Sequence, residues 1–138
     1  MLAVVNATLV MKDHYIPDAT LLIENGRIRA FGPSRSLPIP EACDRLDAQG
    51  LFVGPGLVDI HTHANDKTFF WEDPEACARY HLKQGTTTVL AATYMSLDRE
   101  KLLGAIETLR RAMGNPNFPN LCGIYMEGPY LNPKFGCD

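Results

Sequence analysis

His61 and His63 stand one residue apart in an otherwise apolar run, Gly54-Pro55-Gly56-Leu57-Val58-Asp59-Ile60-His61-Thr62-His63. On an extended strand residues i and i+2 project to the same side, so the two imidazoles are expected to point together and can converge on one ion. Asp59 shares that parity, whereas Val58 and Ile60 share the other and are expected to face a helical layer. Taken alone, two histidines so spaced fit hydrogen-bonded side chains as well as they fit metal ligands. A third group shifts the balance. Glu127 closes another apolar run, Leu121 to Glu127, ahead of Gly128-Pro129, and two imidazoles with a carboxylate form the donor set of a catalytic zinc site. Asp59 lies deeper along its strand and is expected to support the histidines by hydrogen bonding rather than to ligate. His81, inside a helical stretch, and His14, in a polar turn, read as surface residues. Phe69-Phe70-Trp71 either lines a substrate entrance or packs a loop over the sheet.

Those groups need elements to hold them. Residues 1–10 are rich in β-formers, and Asn25-Gly26 between the apolar runs 19–23 and 27–31 is a strong hairpin signal, since both turn positions take positive φ. Three prolines make 32–40 a connector. A further strand pair, 43–47 and 51–53, is expected around Ala48-Gln49-Gly50, which completes a small antiparallel sheet in residues 1–53. From Gly54 the rhythm becomes strand, helix, strand, helix, strand. Asp73-Pro74 supplies an N-cap with proline at the first helical position, and Gly85 sits where a left-handed C-terminal residue belongs, which predicts a helix over 74–84. Thr86 to Thr93 is β-branched and apolar on both faces, as a buried parallel strand should be. Ser96 is expected to cap a second helix, along which Leu102, Ile106, Leu109 and Met113 recur at helical spacing before Gly114. Such alternation predicts an α/β fold with a parallel sheet, either doubly wound or a β/α barrel, and in both the ligands gather at the C-terminal strand ends. His61, His63 and Glu127 all fall on that edge, with Thr93 and Tyr94 between them.

Composition narrows the partners. A chain of 138 residues, 46% hydrophobic and 21% charged, is that of a globular domain. A net charge of -3 with no basic run argues against a nucleic-acid surface, and no apolar run approaches the ~18 residues of a membrane span. The N-terminus carries no basic flank or long apolar stretch of a secretory signal, and the four cysteines, Cys43, Cys77, Cys122 and Cys137, form no CxxC pair. Both features predict a cytoplasmic protein with reduced thiols.

Three stretches together carry a resemblance. Gly56-Leu57-Val58-Asp59-Ile60-His61-Thr62-His63, then Gly85-Thr86-Thr87-Thr88-Val89, then Glu127-Gly128-Pro129-Tyr130-Leu131-Asn132-Pro133-Lys134, in this order and at these separations, resemble the N-terminal part of N-acetylglucosamine-6-phosphate deacetylases of the amidohydrolase superfamily. The resemblance covers essentially the whole chain. It implies that residues 54–138 form the start of a (β/α)8 TIM-type barrel, about three strands of it, preceded in residues 1–53 by part of a small β-sandwich domain. It further implies metal-dependent removal of the N-acetyl group from a small-molecule amino sugar phosphate, with the proton handled by an aspartate from a late strand beyond residue 138.

Carried over residue by residue, Glu127 matches the metal-ligand glutamate, and His61 and His63 match the pair that completes a second metal site in members that have one. The ion implied is zinc, with iron or another divalent metal as alternatives. Gly136-Cys137-Asp138 occupies the place of a Gly-Ala-His whose last residues touch the sugar, which makes Cys137 and Asp138 substrate-binding candidates. Tyr125 stands where many members have histidine, and Ala64 where they have glycine. A barrel needs about 250 residues, so the chain reads as an incomplete N-terminal piece, inactive alone. Its open sheet edge favours self-association, and a homo-oligomer is expected. Two alternatives remain open: another amidohydrolase, such as a cyclic-amide hydrolase or deaminase, for which a lysine ligand on a later strand is typical, or a non-catalytic metal-binding or assembly module.

Overall fold

The computed structural model describes residues 1–132 and 134, and the chain divides into two compact units, Met1–Pro55 and a second from Gly56 onward. The first unit is a five-stranded sheet. Strands β1 (Leu2–Val10), β2 (Tyr15–Glu24) and β3 (Arg27–Pro33) form an antiparallel meander. The β2–β3 turn is the expected one, with Asn25 at φ 51° and Gly26 at φ 72°, as a two-residue hairpin requires. Residues 34–36 make a short 3-10 turn inside the proline-rich connector. Val4, Ala7, Leu9 and Ala19 are buried together, and Ala3, Leu22 and Cys43 form a second small cluster.

One expectation fails here. β4 (Asp44–Asp47) and β5 (Phe52–Val53) do not pair with each other; both run parallel to β1, along its other edge. The reason lies in the backbone groups of the intervening turn, which β1 already satisfies: Ala48 and Gly50 donate to the carbonyls of Val5 and Asn6, and Thr8 donates to that of Leu51. With Gln49 at φ 52° and Gly50 at φ 80°, the turn carries the chain forward along β1 rather than reversing it. The sheet is therefore mixed.

In the second unit β6 (Leu57–Thr62), β7 (Thr86–Ala92) and β8 (Leu121–Tyr125) form a parallel sheet in that order, joined by α1 (Pro74–Lys83) and α2 (Arg99–Ala112). This is the strand-helix alternation that opens a β/α barrel. α1 starts where expected, Asp73 accepting from the amide of Ala76 at 2.9 Å, and ends before Gly85 at φ 91°. α2 is capped by Asp98, which accepts from Lys101 N at 2.9 Å, not by Ser96. Both side chains can cap, but helical dihedrals begin only at Arg99, so Asp98 is the residue within reach of the third amide. That donation holds the Asp98 carboxyl below its ordinary value. Leu109 is fully buried and Met113 packs on the same core of Phe70, Cys77, Ala78, Val89, Ala91, Phe118 and Leu121, whereas Leu102 and Ile106 are only half-buried.

Gly56 meets Thr87 so closely that any Cβ would overlap its side chain, which explains a glycine at the mouth of β6. The helical layer expected over Val58 and Ile60 is not there among the described residues. α1 packs on β7, α2 on β8, and Val58 and Ile60 are 66% and 60% exposed. β6 is an edge strand with an apolar outer face.

Candidate metal centre

The bend at the end of β6 places the two histidines together. Asp59 Oδ1 accepts from the His61 amide at 3.0 Å, within a stretch where the β6–β7 register shifts between Asp59 and Thr62. Asp59 thus supports His61 through the backbone rather than through the ring. The imidazoles of His61 and His63 lie edge to face with centroids 5.1 Å apart. Glu127, two residues beyond β8, enters from the neighbouring strand end: its Oε2 lies 3.4 Å from His61 Nε2 and 3.1 Å from His63 Nε2. Its side chain is only 10% exposed, so the carboxylate faces the imidazoles rather than solvent.

Ligand atoms on one zinc ion, each about 2.1 Å from it, stand roughly 3.4 Å apart in tetrahedral geometry. Both glutamate–imidazole separations match that spacing, and one donor atom from each residue fits within 4.8 Å of the others. The donor set therefore fits a divalent ion. Among the described residues these three are the only group of histidine, cysteine, aspartate and glutamate side chains so placed.

Aromatic rings border the cluster. Tyr125 stacks on His61 at 4.5 Å, and Tyr94 meets His63 edge-on at 5.4 Å. Phe69 stacks on Trp71 at 4.5 Å and lies 6.3 Å from Tyr94. The triplet Phe69-Phe70-Trp71 thus divides between both readings offered for it: Phe70 is fully buried core, while Phe69 and Trp71 form a partly open wall on the Tyr94 side. His63 Nδ1 and Thr93 Oγ1 are buried without a hydrogen-bond partner among the described residues.

Of the remaining candidates, His14 is exposed and paired with Asp13 at 2.6 Å, as a surface residue would be. His81 is not a surface residue. It is half-buried, its Nε2 lies 3.0 Å from the Ala64 carbonyl, and its ring stacks on Phe70 at 5.5 Å. The signal that could have found it is its place four residues after Cys77 and three after Ala78, both fully buried, on one face of α1. Cys77 Sγ donates to the Thr68 carbonyl at 3.3 Å, and burial pushes this thiol up. Cys137 and Asp138 lie outside the described residues.

The family model described as "Amidohydrolase family" matches residues 52–136. The chain belongs to the amidohydrolase family. It is 34% identical over 139 residues to a dihydroorotase of Aquifex aeolicus strain VF5, an alignment covering 93% of this chain and 31% of that protein. Among solved structures, N-acetyl-D-glucosamine-6-phosphate deacetylase from Mycobacterium smegmatis superimposes with a TM-score of 0.74 at 27% identity, over 96% of this chain and 37% of that one. The corresponding enzyme from Pasteurella multocida gives a TM-score of 0.75 at 24% identity, over 96% and 35% of the two chains, and bears on the fold alone. The chain thus spans about a third of the length of these relatives. No described helix is long and apolar enough to cross a membrane.

Proposed function

We propose that this amidohydrolase chain supplies part of the active site of a metal-dependent deacetylase acting on an N-acetylated amino sugar phosphate such as N-acetylglucosamine 6-phosphate. The observation that carries the reading is Glu127: a carboxylate on the third parallel strand end, at 3.1 and 3.4 Å from two imidazoles of the first, followed by Gly128-Pro129-Tyr130-Leu131-Asn132. His61, His63 and Glu127 would hold the ion, zinc or another divalent metal such as iron. When bound, such an ion supplies Lewis-acid polarisation of an amide carbonyl and eases deprotonation of water.

This chain's own residues contribute charge, position and shielding. Glu127 would offset part of the charge of an ion held between the imidazoles. Asp59 fixes the backbone from which His61 projects. Phe69, Trp71 and Tyr94 form an aromatic wall beside His63, which would offer an apolar surface to a substrate. The described residues bring no further carboxylate to the three donors, so the 138-residue chain alone is expected to have no significant turnover. We assign residues 54–138 to the start of the barrel and residues 1–53 to part of a sandwich domain. The parent protein is proposed to be a cytoplasmic homo-oligomer, and the exposed β6 face of the 138-residue chain is expected to be covered by the rest of the barrel or by self-association.

A second reading is a cyclic-amide hydrolase, favoured by the dihydroorotase identity across 93% of the chain. Two measurements decide. Elemental analysis should find about one or two divalent ions per chain in the unmodified protein and far less in His61→Ala, His63→Ala and Glu127→Gln; a metal-free unmodified protein refutes both readings. Acetate release from N-acetylglucosamine 6-phosphate by the parent protein supports the deacetylase, while ring opening of dihydroorotate in its place establishes the alternative.

A further inference from the structure

The turn that follows His63 is fastened at two successive carbonyls. His63 O accepts from Phe70 N at 2.9 Å. Ala64 O faces His81 Nε2 at 3.0 Å, and Thr62 Oγ1, between the two histidines of the cluster, lies 3.5 Å from the same nitrogen. A carbonyl oxygen only accepts, so Nε2 of His81 carries a proton and donates it. The His81 ring stacks at 13° on Phe70, the same residue whose amide holds His63 O. One helical side chain therefore ties α1 to both sides of His63: to Thr62 and Ala64 directly, and to His63 through the Phe70 it packs upon.

We infer that His81 is a positioning residue for the metal centre, fixing the direction in which His63 Nε2 is presented to Glu127. Its role is separate from that of Asp59. Asp59 holds the strand side of His61, whereas His81 holds the turn side of His63. His63 Nδ1 is buried without a hydrogen-bond partner among the described residues, so no hydrogen bond at that nitrogen orients the ring, and the turn carries that task beside the packing of Tyr94. Positions that orient metal ligands from behind in this way typically affect affinity by 10- to 100-fold when changed.

The inference rests on the metal reading, and the test separates the two. His81→Phe keeps the ring and its stack on Phe70 but loses the donor. His81→Gln places an amide N–H near the position of Nε2 and restores it. Zinc affinity is measured against a chromogenic chelator, the cobalt(II) absorption spectrum is recorded, and the metal-free melting temperature is followed alongside. The expected result is a loss of roughly tenfold or more in zinc affinity and an altered cobalt spectrum for His81→Phe, at a metal-free melting temperature lowered by no more than the few degrees one lost hydrogen bond accounts for, with recovery in His81→Gln. Unaltered affinity and spectrum in His81→Phe, in a protein that binds zinc, would overturn the inference alone. An unmodified protein that binds neither ion overturns the metal reading and this inference with it. Should His81→Phe fail to fold, His81→Gln and His81→Leu decide together: near-normal affinity in the first with a loss of roughly tenfold or more in the second supports the role, and equal affinity in the two refutes it.

Discussion

Asn120 offers a sharp test of how the second unit is held together. It is 1% exposed, and its Nδ2 donates to the Ala78 carbonyl of α1 at 2.9 Å and to the Thr86 carbonyl at the start of β7 at 3.2 Å. Its Oδ1 is buried without a hydrogen-bond partner among the described residues. Asn120→Ala removes two neutral hydrogen bonds, at about 1 kcal/mol each, and opens a small cavity worth about another 1 kcal/mol. It also removes the unpartnered oxygen, whose burial costs about 1 kcal/mol. The net expectation is a loss of about 2 kcal/mol. Asn120→Asp keeps the shape but turns the donor into an acceptor facing two carbonyls and buries a charge, for a loss of about 4 kcal/mol. Melting temperatures should fall by roughly 8 °C and 15 °C, at about 3–5 °C per kcal/mol for a chain of this size. A carboxyl so placed has its folded pKa raised above its unfolded value, so the Asn120→Asp protein should regain stability relative to the unmodified one as pH falls. Thermal melts at pH 7 measure the first shifts, and urea unfolding at pH 7 and pH 5 measures the free energies and their pH dependence. An Asn120→Asp protein as stable as Asn120→Ala, or either within 0.5 kcal/mol of the unmodified chain, would refute the assigned donor role.

Two further outcomes are expected. Asp98→Ala should lower the melting temperature by removing the α2 cap, while Ser96→Ala should leave it unchanged; equal losses in thermal melts would put the cap elsewhere. Glu107 is held down at about 2 by hydrogen bonds from Arg110 and Arg111. Because its folded value lies below the ordinary 4.5, its contribution is complete above that pH and disappears as pH falls toward 2. Acid unfolding of Glu107→Gln should therefore depend less on pH between those two values, and curves that run parallel there would contradict the pairing.

What the sequence disclosed depended on how local each signal was. The Asn25-Gly26 turn, the Asp73-Pro74 cap and the meeting of His61, His63 and Glu127 were all legible. The first two are encoded within a few residues, and the third follows from strand parity plus the rule that parallel strands present their C-terminal ends together. β4 and β5 were located but wrongly partnered, because a two- or four-residue strand carries no information on which distant edge it joins. Ser96 and Asp98 are both good cap types, and only the backbone decides between them. His81 escaped because a histidine among charged and aromatic helix residues has the look of a solvated one, and its acceptor, a carbonyl, has no residue type to read. Asn120 gave no signal at all.

The mixed pairing around β1 has a kinetic consequence. Its contacts with β2, and those of β2 with β3, join neighbours in sequence across short turns, and such pairings close quickly. The other edge of β1 must wait for a long loop, since Asn6 meets Asp47 across 41 residues, and the entropy of closing it comes before any gain from the parallel bridges. The hairpin meander is therefore expected to form first and to serve as the template on which residues 44–53 are laid down. Slowing at β1 should then retard the whole first unit, whereas changes in β4 or β5 should chiefly speed its unfolding.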